Sequence, residues 1–263
     1  ILTGLDIEEK AKSFTDTLFK SLGGVDQFDE VSIDLHQTQK NNPNSNEEAM
    51  ASLSLSVKSM DPNLVGRMFS AKVVELSLAS FPGFFAQGGV KPSGPVIVYW
   101  PALIDSIHIK EKVYVDGRKI EILPTSQLGL EDKYYQKEPI DIPEAPEGPR
   151  KSVYFGEIYG TRSGDKGGCA NLGVWAKSNM AYSFLYEFLT VKKLKELLPD
   201  LEKYEIDRYE LPNIKSLNFY IHDILQDGVS SNNRKDGQAK SLGEYLGSKL
   251  VDVPDEILKE KII

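Results

Sequence analysis

The chain has 263 residues, 40% of them apolar and 27% charged, with a formal net charge of −8. This composition predicts one or two soluble domains, and the acidic balance argues against broad binding of nucleic acid or of anionic membranes. A single cysteine, Cys169, excludes an intrachain disulfide and favours a reducing intracellular compartment, most simply the cytoplasm, with an organelle left open.

The N-terminal part of the chain alternates between helix and strand patterns. Asp6 and Glu9 have the spacing of a capping box, which predicts a helix that ends at Gly23-Gly24. Alternating apolar and polar residues, and a proline after an N-cap aspartate, predict three further elements: strands at 31–35 and 51–57, and a helix from Asp61-Pro62 to about 79.

The middle of the chain contains the clearest turn. Asp116-Gly117 joins two alternating segments and predicts a hairpin with a type I′ turn. Strands are also predicted at 96–100 and 104–115, after an irregular stretch rich in glycine and proline at 81–95.

A change of composition at 137–150 predicts the domain boundary. Four prolines stand there among acidic residues, and proline lacks the amide donor that helices and inner strands need. We therefore expect a semi-extended linker between domains at 1–136 and 151–263.

The C-terminal part is expected to mix strands and helices. The predicted elements are a strand at 152–159, a glycine-rich loop at 160–173, a helix at 181–198, a strand at 205–211, a strand or helix at 214–225, a polar loop at 223–236, and an amphipathic helix at 239–250.

The glycine-rich loop is the strongest functional candidate. It holds five glycines in fourteen residues together with both charge signs. Arg162 and Lys166 could neutralise an anion, and the amides of Gly164, Gly167 and Gly168 could approach a carbonyl closely. Asp165 would orient the basic pair or act as a base. The alternative is a tight structural hairpin in which Arg162, Asp165 and Lys166 pair locally.

Known cofactor motifs do not match the chain. The loop has neither the Walker A spacing nor G-x-G-x-x-G, so no nucleotide motif is assigned. His36, His108 and His222 lack metal-ligand spacing, so no metal site is assigned and the cofactor stays unknown. Cys169 is interpreted as a packed bystander, because no histidine is near it in sequence. His222 and Asp223 could place an imidazole and a carboxylate near a pocket.

Three residues further on are candidates for a ligand site. Asn218 lies in an apolar run, where it either braces a neighbouring loop or faces a ligand. Asp236 could be the N-cap of the last helix, and Lys240, one turn in, could complete an anion site at that helix start. The alternative for both is a solvated helix start.

These segments together resemble the AtuA (acyclic terpene utilisation) family. Residues 159–173 are similar to its A-R-S-G-D-K-G-x-x-A-N-x-G signature, in which Cys169 fills a variable position. Three further segments follow in the order and spacing of the family: Arg208-Tyr-Glu-Leu-Pro212, Leu217-Asn-Phe219 and Asp236-Gly-Gln-Ala-Lys240. The family pattern at the last is D-x-Q-G-K, whereas here Gly and Ala frame Gln238.

The resemblance implies an α+β fold. Residues 1–136 would be the mixed-sheet, C-terminal portion of a larger α/β domain, and 151–263 a ferredoxin-like α+β domain. The chain is therefore expected to be a fragment that begins within the family's main domain. The family name implies a metabolic role in the breakdown of acyclic terpenes through CoA esters.

Two functions stay open. One is an enzyme or enzyme subunit that acts on a CoA ester or small carboxylic acid, with a small anionic substrate such as an acyl-CoA. The other is an assembly domain, which docks a second copy or a partner subunit. Under the enzyme hypothesis Asp165 and Arg162 are catalytic, and the substrate-binding candidates are Arg162, Ser163, Gly164, Lys166, Gly167, Gly168, Asn171, Asn218, Asp236 and Lys240.

Overall fold

The computed structural model describes residues 1–79, 81–90, 92–122 and 142–260. The chain forms two compact units, Ile1–Val96 and Ile97–Ile263. The predicted linker at 137–150 is described from residue 142, and 142–149 contains neither helix nor strand. The boundary at that linker stays a prediction.

The first unit is built on a small antiparallel sheet. Its elements are β1 (Leu2–Thr3), α1 (Ile7–Ser21), β2 (Glu30–His36), β3 (Met50–Lys58) and α2 (Phe69–Ala79). The strands lie in the order β1-β3-β2, and Phe14, Leu18 and Phe19 of α1 pack with Phe28 and Phe69 in the core. The strands and the first helix are therefore where the sequence predicts them.

Both helix starts in this unit differ from the simple prediction. Asp6 has a left-handed backbone, and its side chain does not cap α1. Asp61 does accept a hydrogen bond from the amide of Asn63, at 2.9 Å. A π-type turn at Leu64–Met68 with a non-helical Gly66 then interrupts the predicted helix before α2 begins.

The segment that opens the second unit is less regular than predicted. Residues 97–105 form no helix or strand, and Ser106–His108 is a 3₁₀ turn capped by Asp105. The strands expected at 96–100 and 104–110 are therefore wrong. A strand needs a neighbouring strand for its amide and carbonyl groups, and in the described part of the chain no strand pairs with these residues, although the amide of Tyr99 donates to the Asp227 carbonyl at 2.8 Å.

The predicted hairpin is confirmed. It consists of β4 (Glu111–Val115) and β5 (Arg118–Ile122) in antiparallel register. Asp116 and Gly117 have φ angles of 47° and 76°, as a type I′ turn requires.

The rest of the second unit is an α+β domain. Its elements are β6 (Arg150–Tyr154), α3 (Phe155–Ile158), β7 (Gly160–Lys166), β8 (Cys169–Trp175), α4 (Asn179–Phe188), α5 (Val191–Leu197), β9 (Ile206–Leu211), β10 (Ser216–Ile221), α6 (Leu242–Gly247), β11 (Leu250–Pro254) and α7 (Asp255–Lys259). Antiparallel strands form one sheet in the order β7-β8-β10-β9, and β11 pairs with β6.

Several predicted elements change length here. The strand expected at 152–159 ends at Tyr154, where α3 begins. The helix expected at 181–198 is two helices, because the Thr190 hydroxyl caps a second start by accepting from the amide of Lys193. The helix expected at 239–250 is only α6. The ambiguous segment 214–225 contains the strand β10 and no α-helix.

One face of the four-stranded sheet is covered and the other is open. The covered face carries six fully buried side chains: Ala170, Leu172, Val174, Leu217, Phe219 and Ile221. They pack with helical residues such as Leu185, Leu194 and Leu246. Of the candidate site residues on this sheet, Ser163 and Asp165 share the covered face, whereas the opposite, open face carries Arg162, Gly164, Lys166, Asn171 and Asn218.

Candidate functional site

The glycine-rich segment is a β-hairpin, not an irregular loop. Strands β7 and β8 pair from Gly160 opposite Trp175 to Lys166 opposite Cys169, so Gly167-Gly168 is a two-residue turn. Gly167 has a φ of 66°, which a glycine adopts without strain. The hairpin was the alternative expected for this segment.

The two turn glycines are packed by other parts of the second unit. A Cβ at 167 would lie 2.6 Å from the ring of Tyr99. A Cβ at 168 would lie 2.0 Å from the carbonyl oxygen of Gln226, and the Gly168 carbonyl accepts from the amide of Leu225 at 2.8 Å. Internal packing therefore accounts for both glycines, and their contact with a ligand stays a prediction.

Residues that are paired across neighbouring strands lie on the same face of a sheet. On the open face, the pairs across β7, β8, β10 and β9 therefore form rows of four residues. The rows are Gly160, Trp175, Ser216 and Leu211; then Arg162, Gly173, Asn218 and Tyr209; then Gly164, Asn171, Tyr220 and Asp207. In the middle of this face the Asn171 amide donates to Asn218 Oδ1 at 3.2 Å. The two predicted asparagines are thus brought together with Arg162 and Gly164.

The other residues of β7 point towards helix α6. The Ser163 hydroxyl accepts a hydrogen bond from the amide of Gly243 at 3.0 Å. A Cβ at 243 would lie 3.0 Å from Thr161 Oγ1, so α6 lies directly on the strand. Ser163, a predicted binding residue, is placed at this contact.

Three cations surround Gly164 at the edge of the sheet. The backbone of Gly164 is buried, and Lys240 Nζ lies 3.5 Å from where its Cβ would be. Arg162 and Lys166 flank it on the open face, and both are exposed. Lys240 Nζ is also 3.9 Å from Asp165 Oδ1, with the two side chains 64% and 36% exposed.

The charges of the hairpin do not pair in the way the structural alternative expects. Arg162 and Asp165 lie on opposite faces of β7, and within the described residues Arg162 has no ion pair. Asp165 approaches Lys240 instead, and Lys166 Nζ donates to the Asp165 carbonyl at 3.0 Å. Arg162 is therefore available to a ligand.

Asp236 organises the turn that carries Lys240. Its carboxylate accepts from the amides of Lys240 and Ser241, each at 2.8 Å, and from the Ser241 hydroxyl at 2.7 Å. Burial acts to raise the pKa of Asp236, but the bonds from Ser241 and Lys240 outweigh it and hold the pKa below its usual value.

The expected helix start at this turn is corrected. Because α6 begins at Leu242, Asp236 is not its N-cap, and Lys240 precedes the helix instead of lying one turn in. Ala239 has a left-handed backbone with φ 51° in the same turn.

Sequence reasoning missed a second group on the open face. His222 Nε2 lies 2.9 Å from Asp207 Oδ2, so its acidic partner is Asp207 and not the adjacent Asp223. Tyr220, which belongs to the row of Asn171, packs edge-on against His222 with the ring centroids 4.9 Å apart. The alternation of side chains along β9 and β10 was the available signal that Asp207 and His222 point to the same face. That signal locates a pair only when the register between the two strands is known.

Two features are absent from the residues that the structure describes: a group of metal ligands and a membrane-spanning helix. Within those residues, no three His, Cys, Asp or Glu side chains are grouped so that they could hold a metal ion. In that same part of the chain, no helix has the length and apolar character needed to cross a membrane.

Comparison with known proteins identifies the family. The model described as AtuA ferredoxin-like domain matches residues 154–252, and the model described as acyclic terpene utilisation family protein AtuA matches residues 1–115. No curated protein and no solved structure matches the chain. The ferredoxin-like match covers the four-stranded sheet and its hairpin. The chain therefore belongs to the AtuA family and carries the family's ferredoxin-like domain.

Proposed function

We propose that the chain binds a small anionic substrate beside β7, as an enzyme or enzyme subunit that acts on CoA esters or small carboxylic acids in acyclic terpene-type catabolism. The observation that carries the proposal is the grouping of Arg162, Lys166 and Lys240 around Gly164. The chain has a net charge of −8, so this cluster is a local reversal of its overall charge.

The geometry fits a carboxylate or phosphate. Arg162 has a planar fork that can bind two oxygens at once, whereas Lys166 and Lys240 act as point charges. Asp165 Oδ1 lies 3.9 Å from Lys240 Nζ, and both side chains are partly exposed, so water weakens their attraction. An incoming anion can therefore compete for the ammonium group.

The neighbouring row suits the acyl part of such a substrate. Gly173 stands between Arg162 and Asn218, so no side chain rises between the guanidinium and the asparagine amides. Asn218 Oδ1 already accepts from Asn171, which leaves the amide hydrogens of Asn218 to face a carbonyl oxygen. The role that remains for Asp165 is to orient Lys240, because Asp165 lies on the face of β7 opposite to Arg162.

A thermal-shift experiment tests the proposal. The full chain is screened against CoA, acetyl-CoA and short carboxylates; a ligand at about 100 times its Kd stabilises the folded state by about 2.7 kcal/mol. Arg162→Ala and Lys240→Ala should each weaken binding about tenfold, because each removes a charge-assisted contact. Lys192→Ala removes an exposed lysine from α5 and should change nothing. Binding that survives both site variants would sink the proposal.

The assembly function is favoured by a separate observation. The open face and its border carry exposed apolar side chains, among them Trp175, Tyr209 and Leu211, which are 40–52% exposed. Sedimentation of wild type and Leu211→Asp distinguishes this candidate. A change of oligomeric state in the variant, together with no anion binding by the wild type, would favour assembly over catalysis.

A further inference from the structure

Glycines occupy three positions of the open face, and side chains next to them account for two of the three. The indole of Trp175 lies over Gly160, where a Cβ would be 2.1 Å from the ring, and the Lys240 ammonium group lies 3.5 Å from the equivalent point at Gly164. Gly173 is not explained in this way, because within the described residues no ring or ammonium group lies within 4 Å of that point. The face is therefore open above Gly173.

Polar and aromatic groups surround the space above Gly173. Arg162 and Asn218 are its register partners on the two neighbouring strands, and Asn171 and Trp175 are the next residues of β8 on the same face. A Cβ at 173 would lie 3.5 Å from the Arg162 carbonyl oxygen and 4.0 Å from Asn218 Oδ1, which are ordinary contacts. Two strand spacings separate the backbones of Arg162 and Asn218 by about 9–10 Å, enough for a flat group between them.

The indole of Trp175 borders this space as an accessible aromatic surface. Its neighbours in the same row are Gly160 and Ser216. Ser216 is buried, and its hydroxyl donates to the Ile214 carbonyl at 2.8 Å, so neither neighbour rises beside the ring. Trp175 stays 40% exposed although it lies over Gly160. A second π-system can therefore reach the indole from the side of Gly173.

We propose that the ligand of the anion site carries a flat, conjugated group joined to its carboxylate, and that Gly173 and Trp175 select for that group. The inference rests on the proposed function, since the carboxylate binds the Arg162 guanidinium. The flat group then lies over Gly173, where it meets the indole in an offset or edge-to-face arrangement. An aromatic ring and an open chain of conjugated double bonds share this chemistry, and the experiment distinguishes the two.

A saturated group of the same size gains less at this position. It has no π-system for the indole of Trp175 to meet, and a flexible chain loses rotamer freedom when it is held between Arg162 and Asn218. A merely apolar surface would give equal affinities or favour the saturated group, because that group has at least as much apolar area to bury. The order of the affinities therefore reports on contact with the indole.

Gly173 offers a variant that keeps the fold. Its backbone is not left-handed, and an added Cβ makes only ordinary contacts, so alanine fits the strand. The methyl group would nevertheless fill the space in which the flat group lies. We expect Gly173→Ala to keep the wild-type Tm and to bind benzoate about tenfold more weakly.

The experiment is a calorimetric titration of the full chain with two matched pairs of carboxylates at about pH 7, where all of them are anions. Benzoate is compared with cyclohexanecarboxylate, and sorbate with hexanoate. The conjugated member of a pair should bind about fivefold more tightly than the saturated one. Trp175→Leu should reduce this ratio to about one, and Trp175→Phe should retain it. Arg162→Ala should weaken every carboxylate about tenfold.

The matched control is Trp100→Leu, which replaces a tryptophan that is 85% exposed and should leave both ratios unchanged. A preference within the benzoate pair alone identifies an aromatic ring, and one within the sorbate pair alone identifies a conjugated chain. Equal affinities within both pairs, or a ratio that survives Trp175→Leu, would overturn the inference. The proposed anion site would still stand in that case if Arg162→Ala weakened binding. Failure of all the carboxylates and of CoA to bind would overturn both proposals.

Discussion

At two positions of β7, the absence of a side chain leaves space for a neighbouring side chain to lie against the backbone. A Cβ at Gly160 would lie 2.1 Å from the indole of Trp175, and a Cβ at Gly164 would meet Lys240 Nζ. These glycines therefore occupy positions where a neighbouring side chain takes the space above the backbone. The consequence is that Trp175 and Lys240 lie against the sheet while Arg162 extends from it.

The His222–Asp207 pair should make stability depend on pH. The pKa of His222 is raised in the folded chain, first by the hydrogen bond to Asp207. A raised histidine pKa contributes stability that is fully present below the unfolded value of about 6.5 and is lost as pH rises through the folded value. Unfolding by urea should therefore show a larger wild-type advantage over His222→Gln at about pH 5.5 than at about pH 8.5.

A His222→Gln difference that stays constant, or grows with pH, would contradict the assignment of Asp207 as the partner that favours the imidazolium.

The β7–β8 hairpin is the element on which the proposed anion site depends. Its turn is fixed from outside, since Tyr99 covers Gly167 and the Gly168 carbonyl accepts from Leu225. Its β7 strand is fixed by the bond between Ser163 and Gly243. The strand therefore holds Arg162 and Lys166 in register with β8, whatever binds to them.

Gly168→Ala should destabilise the chain by about 2–3 kcal/mol. The new methyl group would lie 2.0 Å from the Gln226 carbonyl, which is backbone and cannot move aside without shifting the turn. Gly164→Ala is the matched control, because its methyl would lie 3.5 Å from the flexible end of Lys240 and should cost less than about 1 kcal/mol. Equal losses in urea unfolding would contradict this account of the turn.

Elements with local signals were predictable from the sequence. Asp116-Gly117 demands a type I′ turn by its own backbone preferences, and the hairpin β4–β5 follows. The alternating residues of β2 and β3 needed only a partner strand, and each supplies it to the other. The family signature likewise identified the ferredoxin-like domain from contiguous residues.

Features that depend on partners distant in sequence were not predictable. Residues 96–110 have the apolar content of strands, but no strand pairs with them in the described ranges. The bond between His222 and Asp207 joins two strands, so the adjacent Asp223 looked like the natural partner. The approach of Lys240 to Asp165 depends on the turn that Asp236 organises before α6.

At the scale of the whole molecule, an acidic chain presents a local cationic site within an AtuA-family α+β domain. Helical residues pack on one face of the sheet, and the other face is open. That face carries Arg162 and Lys166 beside Gly164 at the β7 edge, and the bonded pair of His222 and Asp207 at the β9 edge.

The most direct test of the anion site is a titration of the isotopically labelled full chain with CoA, followed by NMR of backbone amides. The amides of Gly164 and Gly173 should shift and saturate together, because they lie beneath the proposed ligand next to Arg162. The same titration of Lys240→Ala should need about tenfold more CoA. Shifts that map away from β7 and β8, or no shifts at all, would contradict the account.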